Sequence, residues 1–402
     1  MKTYYLQSKP RYEILDGLRG VAAILVLIYH LCESHFGLGA AHPLNHGYLA
    51  VDFFFVLSGF VIGYAYDDRW EKPLSRQSDT PQGKGYFTLW NFFKRRLVRL
   101  HPMVICGSVI GALLFYFQQC DVFPAIATTP WWMVVLAMMW SFTMIPVPQC
   151  LEVRGWGETN PLNGPTWSLQ WEYLANILYA LVFRHFSRLM LEMCVALFAV
   201  LTVMLCLQID LFGFLATRDP LMQYTVIGGW STQPEHLQVG LTRLLYPFFA
   251  GLLLSRMNWT LRVKGAFWWC SLAIAAIMLV PRLGGDTGDN MWMNGIYNLV
   301  IILFVLPLIV SVGAGSSVTD GRSSAINKFL GDISYPLYIT HYPLVHMQVQ
   351  WIATHPEASP STHLFIAVCT FILSLLVAYA TYKLYDIPVR QWLQKKCFGN
   401  KP

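Results

Sequence analysis

The chain contains eleven apolar stretches that are each long enough to cross a lipid bilayer as a helix. Such a helix needs roughly 17 to 25 mostly apolar residues, and it satisfies all of its backbone hydrogen bonds internally. The stretches cover residues 13–34, 47–66, 98–118, 122–147, 167–184, 189–213, 239–256, 265–281, 291–313, 328–350 and 364–386. They predict an all-α fold, a polytopic bundle of transmembrane helices.

The composition excludes an ordinary water-soluble domain. Of the 402 residues, 55% are hydrophobic and only 12% are charged, whereas soluble domains carry about 25% charged residues. The net charge is +6, but lysine and arginine occur in short clusters between apolar stretches. This distribution is typical of membrane topology signals and argues against a nucleic-acid partner. The nine cysteines form no C-x-x-C pair, so no metal site is predicted.

The basic clusters also predict how the helices are oriented, because basic loops stay in the cytoplasm. Lysine and arginine are concentrated at the N-terminus and in residues 69–99, 184–188, 256–264, 322–328 and 383–401, and are absent from residues 35–46, 119–129 and 354–362. We therefore expect a multi-pass protein of the cell (inner) membrane with both termini cytoplasmic.

If every stretch crossed the membrane once, the basic links could not all lie in the cytoplasm. The segment that breaks the alternation is residues 122–147, which is bracketed by prolines. We expect this segment to be re-entrant, interfacial or a split hairpin, which leaves about ten crossings. The longest links, residues 67–90 and 214–238, are too short to fold as domains. The sequence thus predicts one membrane-embedded domain over residues 1–402, with a short basic cytoplasmic tail at 387–402 and no extramembrane domain.

Ionisable residues inside apolar helices are costly in hydrocarbon and are functional candidates. The first stretch contains Asp16, Arg19 and His30, and the last two lie on one helix face about 16 Å apart. Alternatively, Arg19 pairs with Asp16 and His30 satisfies a backbone carbonyl. In the second stretch, Asp52 is expected at the depth of His30, whose imidazole it could orient. Without other information, the pattern favours Ser58 and Gly59 as a small-residue packing site for close helix contact.

Further candidates follow along the chain. Arg96 and Arg99 share a helix face, which suits phosphate groups of a ligand but also suits a purely topogenic role. Trp167, Glu172, Arg243, Tyr335 and His341 lie in later stretches. An interfacial aromatic belt explains the tryptophan and tyrosine, but not the three ionisable residues at membrane depth.

These residues belong to ordered motifs: LDGLRG followed by His30, FFFVLSGF, RRLVRLHP, PTWSLQWE and ISYPLYITH. Together they resemble the acyltransferase 3 family of integral membrane acyltransferases, over residues 13 to 388. The resemblance implies transfer of an acyl group, often acetyl, from cytoplasmic acyl-CoA to a hydroxyl of a surface glycan, a lipid-linked sugar or a similar acceptor. It also implies membrane lipid as surroundings, and no metal. After Glu172 the sequence departs from the family pattern, at Tyr173, Ala175 and Asn176.

Carried over by residue, the resemblance implies that His30 is catalytic and that the Arg96 and Arg99 motif is associated with the donor. Arg19, Ser58, Trp167, Glu172, Tyr335 and His341 also fall on matching positions. Together with the arguments from depth and charge, we expect a catalytic group of His30, Asp52 and Glu172. We expect donor binding by Arg19, Arg96, Arg99 and Ser58, and supporting or substrate-binding roles for Trp167, Arg243, Tyr335 and His341. Acyl transfer to a hydroxyl needs a base, which His30 supplies, and a carboxylate at Asp52, Glu33 or Glu172 to fix its tautomer. An acyl-histidine intermediate remains open. The alternative functions are a secondary transporter of a small polar solute and a glycan-binding scaffold.

Overall fold

The computed structural model describes residue 9, residues 11–71 and residues 87–398, and the regular structure of this part of the chain is helical. The α-helices are α1 Glu13–Phe36, α2 Leu49–Glu71, α3 Leu89–Leu114, α4 Trp131–Ser141, α5 Thr166–Leu181, α6 Arg188–Cys206, α7 Pro234–Met257, α8 Ala266–Leu279, α9 Trp292–Val300, α10 Leu306–Gly315, α11 Gly321–Thr354, α12 Pro360–Thr381 and α13 Ile387–Phe398. Short π-helical turns join α9 to α10 and α12 to α13. The prediction of an all-α fold is confirmed.

Seven helical stretches in the described residues are long and apolar enough to cross a bilayer. They are Glu13–Phe36, Leu49–Trp70, Leu89–Gln118, Arg188–Cys206, Pro234–Met257, Trp292–Gly315 and Pro360–Phe398. Helices α4 and α8 are apolar but shorter. The multi-pass architecture is therefore confirmed, whereas the count of about ten crossings stays a prediction.

The segment 122–147 forms a short helix and not a long one. Helix α4 has 11 residues, so it is about 16 Å long, roughly half of the hydrocarbon thickness. It begins after Pro130, and at its end the Ser141 hydroxyl lies 3.2 Å from the Asn160 side chain. The backbone N–H of Val147 then donates to the Thr159 carbonyl at 2.9 Å. The segment thus folds back onto the loop that follows it.

Several helix boundaries differ from the sequence prediction, and two of the differences concern the basic clusters. Helix α3 starts at Leu89, nine residues before the apolar stretch, because the Thr88 hydroxyl caps its first turn and charged residues are good helix formers at a water-facing end. The arginines of RRLVRLHP are therefore helical. Residues 387–398 of the expected basic tail also form a helix, α13, and Arg95 of α3 lies over the Phe398 ring.

The helices run between two ends of the bundle. We call the end with residues 37–48, 119–165, 207–233 and 280–291 the loop end, and the end with residues 182–187, 257–265 and 387–398 the basic end. Helix α1 runs from the basic end to the loop end and is parallel to α11, since Gly17 packs on Asn327 and His30 packs on Tyr342. Two of the predicted basic segments, the N-terminus and residues 69–99, are described only in part, because residues 1–8 and 72–86 lie outside the described residues. The sidedness of the chain stays a prediction.

Glycines bring α2 and α7 into close contact. A Cβ atom on Gly59 would collide with the Phe248 carbonyl oxygen, and one on Gly251 would collide with the Val56 carbonyl oxygen. Small residues at such contacts let two membrane helices approach at backbone distance. The packing alternative considered for the Ser58–Gly59 pair is therefore confirmed for Gly59.

Replacing Gly59 by alanine should destabilise the protein by about 1–3 kcal/mol, the usual cost of overpacking a tight contact. The thermal unfolding midpoint of the purified protein measures this effect. Gly321→Ala is the matched control, because nothing lies within 4 Å of a Cβ atom at that position. Equal midpoints for Gly59→Ala and the wild-type protein would show that the helices do not pack this closely.

Candidate active site

The imidazole of His30 lies within ion-pair distance of a carboxylate on the same helix. Its Nδ1 atom lies 2.7 Å from Oε2 of Glu33, one turn further along α1. Because an ionised carboxylate only accepts, Nδ1 carries a proton, and in the neutral imidazole Nε2 then keeps its lone pair. The other carboxylate oxygen of Glu33 lies 3.5 Å from the Tyr29 hydroxyl. Of the three carboxylates considered from the sequence, Glu33 is the one that orients this imidazole.

Two side chains of α11 hold the His30 ring in place. His341 stacks on it with ring centres 5.6 Å apart, and Tyr342 meets it edge-on at 4.9 Å. The Nδ1 atom of His341 donates to the Leu337 carbonyl at 2.9 Å, since a carbonyl can only accept. Its Nε2 atom is buried and has no hydrogen-bond partner among the described residues. His341 thus contacts the catalytic candidate but makes no polar bond to it.

A cavity of about 450 Å³ opens beside His30 at the loop end. His30 and Glu33 form part of its wall, and so do Trp167 and Arg243. Much of the remaining wall is aromatic, with Tyr29, Tyr48, Trp156, Trp230, Tyr338 and Tyr342. A concave, mostly apolar site with a few convergent polar groups is the usual form of a small-ligand site.

Asp52 does not contact His30, contrary to the sequence expectation. Its carboxylate pairs with Arg243 of α7, with 2.8 Å between Oδ2 and NH2 and 3.3 Å between Oδ1 and Nε. The side chains are 0% and 2% exposed, respectively. Arg243 also donates to the Tyr48 carbonyl at 2.7 Å and lies over the Trp167 ring. A carboxylate so deeply buried pairs with the nearest cation, so Asp52 anchors Arg243 and does not orient the imidazole.

Glu172 also lies elsewhere than expected. One oxygen of its carboxylate accepts from Arg96 NH2 at 2.7 Å and from the Ser58 hydroxyl at 2.9 Å. This contact joins α2, α3 and α5, and none of the three residues lines the loop-end cavity. The expectation that Glu172 acts together with His30 was wrong, because its carboxylate pairs with Arg96. Arg96 is therefore an ion-paired and buried residue.

A group of arginines lies nearer to the basic end. Arg19 is paired with Asp16, as in the alternative considered from the sequence. Arg99 is exposed, and its cationic neighbours are Arg19 and Arg96, while Asp16 is an anionic neighbour. The Tyr335 hydroxyl donates to the Leu100 carbonyl at 2.7 Å and so ties α11 to α3 beside this group. We call Arg19, Arg96 and Arg99 the arginine cluster.

The predicted residues thus fall into two sets. His30, Trp167 and Arg243 line the loop-end cavity, with Asp52 and His341 directly behind them. The arginine cluster, Ser58, Glu172 and Tyr335 form the second set. Along α1, Arg19 and His30 are about 16 Å apart. The described residues contain no cluster of histidine, cysteine, aspartate or glutamate that could hold a metal ion.

Some residues of the cavity were missed by the sequence analysis. Glu33 was named only as one of three partners for His30, although its i+3 spacing places it on the same helix face. Glu158 and Trp156 belong to a loop without any recognisable motif, and His346 lies five residues after His341. For the loop residues, no signal in one sequence reveals a position beside His30.

Comparison with known proteins identifies the family of the chain. The model of the acyltransferase 3 family, described as an acyltransferase domain, matches residues 12–383, which is nearly the whole chain. The chain belongs to the acyltransferase 3 family. Membership places it among enzymes that transfer acyl groups other than aminoacyl groups.

The relatives of this family member differ in length. The chain is 32% identical over 205 residues to "Protein 2 in picA locus" of Rhizobium radiobacter, and this match covers 50% of the chain and 95% of that protein. It is 26% identical over 402 residues to the O-acetyltransferase OatA of Staphylococcus aureus and 23% identical over 410 residues to the peptidoglycan O-acetyltransferase OatA of Listeria monocytogenes. The matches cover 95% and 97% of this chain but only 58% of each of these two relatives. No solved structure matches the chain.

Arg243→Leu should destabilise this acyltransferase 3 member by about 3–5 kcal/mol, because it leaves the Asp52 carboxylate buried without a partner. The double variant Asp52→Leu, Arg243→Leu should recover most of that loss. Thermal unfolding of purified protein measures both. If the double variant is no more stable than Arg243→Leu, the two charges do not compensate each other.

Proposed function

We propose that this protein is a membrane O-acyltransferase that moves an acyl group, acetyl in the simplest case, from cytoplasmic acyl-CoA to a hydroxyl of a cell-surface glycan, a lipid-linked sugar or a similar acceptor. The observation that carries the proposal is the His30–Glu33 pair on the wall of the loop-end cavity. The relatives named as O-acetyltransferases support an oxygen atom as the acceptor of the acyl group.

The arginine cluster fits the phosphate groups of coenzyme A. Its three arginines face two carboxylates, Asp16 and Glu172, which leaves one positive charge in excess. Arg99 is the exposed member. Guanidinium groups hold phosphate oxygens through charge-assisted hydrogen bonds. Bound there, the donor would direct its extended arm along α1 towards His30, about 16 Å away at the helical rise.

The orientation of His30 determines the chemistry it can perform. With Nδ1–H donated to Glu33, the free Nε2 atom can take the proton of the acceptor hydroxyl. The hydroxyl oxygen then bonds to the acyl carbon, the carbon–sulfur bond breaks, and the leaving thiolate recovers the proton from the imidazolium. Glu33 stabilises that imidazolium through its negative charge. In a two-step route the same nitrogen attacks the thioester, the carbon–sulfur bond breaks and coenzyme A leaves as the thiolate. The acceptor hydroxyl then attacks the acyl carbon, the bond from that carbon to Nε2 breaks, and the hydroxyl proton passes through the freed Nε2 to the thiolate.

Arg99→Ala should raise the KM for acetyl-CoA by about 10- to 100-fold, since a charge-assisted hydrogen bond contributes roughly 1.5–3 kcal/mol. The value of kcat should fall less, because the lost contact is made equally in the ground and transition states. Steady-state kinetics of the purified protein measure both. Arg188→Ala is the control, as Arg188 is an exposed arginine paired with Glu192 near the basic end. If the KM for acetyl-CoA is unchanged in Arg99→Ala, this arginine does not bind the donor and acts only as a topology signal.

His30→Ala should reduce acyl transfer by about 10²- to 10⁴-fold, the range of general acid–base catalysis. Glu33→Gln should reduce it less, because the amide keeps a hydrogen bond to Nδ1 but loses the negative charge. The assay uses sealed vesicles of known orientation, with acetyl-CoA supplied on one side and an impermeant acceptor on the other. Labelling should require acetyl-CoA on the cytoplasmic side and acceptor on the outer side. A solute transporter would leave acetyl-CoA intact on both sides.

A further inference from the structure

Two buried polar side chains in the wall of the cavity have no role in the chemistry described above. Glu158, in the loop before α5, is 6% exposed, and His346 of α11 is 1% exposed. Both line the loop-end cavity. Oε2 of Glu158 and both ring nitrogens of His346 have no hydrogen-bond partner among the described residues. Buried polar atoms are normally paired, so each of these atoms needs an explanation.

The two side chains lie next to the His30 group. The Tyr342 ring packs against His30 at 4.9 Å and against His346 at 4.3 Å. Glu158 also approaches the Tyr342 ring, because both side chains lie against Gly164. A Cβ atom added to Gly164 would be 2.6 Å from Glu158 Oε1 and 2.8 Å from Tyr342 Cε1. A ligand that contacts His346 and Glu158 would therefore lie beside the imidazole of His30.

The charges around the cavity indicate which ligands fit. Glu33 and Glu158 are carboxylates in its wall, and the cation Arg243 is already paired with Asp52. Arg154 lies behind Glu158 over the Phe123 ring and is not among the cavity-lining residues. An anionic group in the cavity would meet like charges, which are costly at an interface. A neutral ligand avoids that cost.

The remaining wall suits a ring with an apolar face. Trp156, Trp230 and Trp167 line the same cavity. Trp156 donates its indole N–H to the Val122 carbonyl at 2.8 Å, which fixes the ring beside His346, with ring centres 6.0 Å apart. Aromatic side chains provide rigid apolar surface, while carboxylate and imidazole groups bond to hydroxyls. A sugar ring offers the C–H face and the hydroxyls that this wall requires.

We propose that Glu158 and His346 form a subsite that binds the hydroxyl groups of a neutral sugar residue and places one of its hydroxyls at His30. This inference rests on the proposed acyltransferase function and adds the binding residues and the charge of the acceptor. Burial raises the pKa of Glu158 to about 7, although Arg154 opposes this shift. Near neutral pH the side chain therefore exists partly as a carboxyl group, which donates to one hydroxyl and accepts from another.

The test uses the full chain purified in a detergent without a sugar headgroup. Labelled acetyl-CoA is supplied with a panel of neutral methyl glycosides, including the glucoside, galactoside and N-acetylglucosaminide, and with the methyl glucuronide as the anionic match. Both acetylated glycoside and acetyl-CoA hydrolysis are measured. The variants are Glu158→Leu and His346→Phe, which remove the polar atoms of each side chain and keep a similar size. Glu152→Gln is the control, since Glu152 is in the same loop but bonds backbone N–H groups of Arg154 and Gly155.

The expected result is acetylation of at least one neutral glycoside and little of the glucuronide. In Glu158→Leu and in His346→Phe, the ratio of glycoside acetylation to acetyl-CoA hydrolysis should fall tenfold or more, with a raised KM for the glycoside. Glu152→Gln should keep the wild-type ratio. A purely structural role of His346 would leave the ratio unchanged in the phenylalanine variant, because its nitrogens have no hydrogen-bond partner in the part of the chain that the structure describes.

Other results overturn the subsite and the function separately. Wild-type ratios in both variants, or transfer to the glucuronide in preference to every neutral glycoside, would overturn the subsite and leave the acyltransferase function standing. Acetyl-CoA hydrolysis without transfer to any neutral glycoside would overturn the acceptor class. If the wild-type protein does not turn over acetyl-CoA at all, the proposed function itself fails.

Discussion

The requirement that buried charges be paired determines how this helix bundle is built. A charged side chain at the centre of a membrane helix costs about 2.5–3.5 kcal/mol on insertion scales, and more where water is excluded. Among the ion pairs of the described residues are Asp52–Arg243, Arg96–Glu172 and Asp16–Arg19. The first two join different helices, so the pairing that removes the cost also sets which helices are neighbours.

The same requirement separates the structural charges from the reactive ones. Asp52 and Glu172 are each held by an arginine, whereas His30 and Glu33 pair only along α1 and face the loop-end cavity. A carboxylate on the same helix can orient an imidazole without a second helix. The imidazole then stays accessible to a ligand on its other side. The arginine cluster lies about 16 Å away along α1, which suits a long donor with charged and reactive ends far apart.

Much of the fold and part of the site could be predicted from single-sequence patterns. Apolar stretches located most of the helices, and proline bracketing singled out residues 122–147, where the structure has the short helix α4. The candidates His30, Arg19, Arg96 and Arg99 followed from ionisable residues in apolar stretches and from the family motifs. Their partners could not be predicted, because depth inferred from chain position placed Asp52 and Glu172 beside His30. The competing attraction of Arg243 and Arg96 comes from helices distant in sequence.

Sequence by itself determined that the chain is a helical membrane protein, since no other backbone arrangement satisfies eleven long apolar stretches with few charges. It also determined that His30 and Arg19 share a helix face, because spacing along one helix is a local property. Only the tertiary structure decided that Asp52 and Glu172 pair with arginines, which leaves Glu33 as the carboxylate on His30, and that Glu158, His346 and Trp156 line the same cavity. Contacts between α1, α11 and a loop depend on how separate elements pack, and local sequence patterns carry no information about that packing.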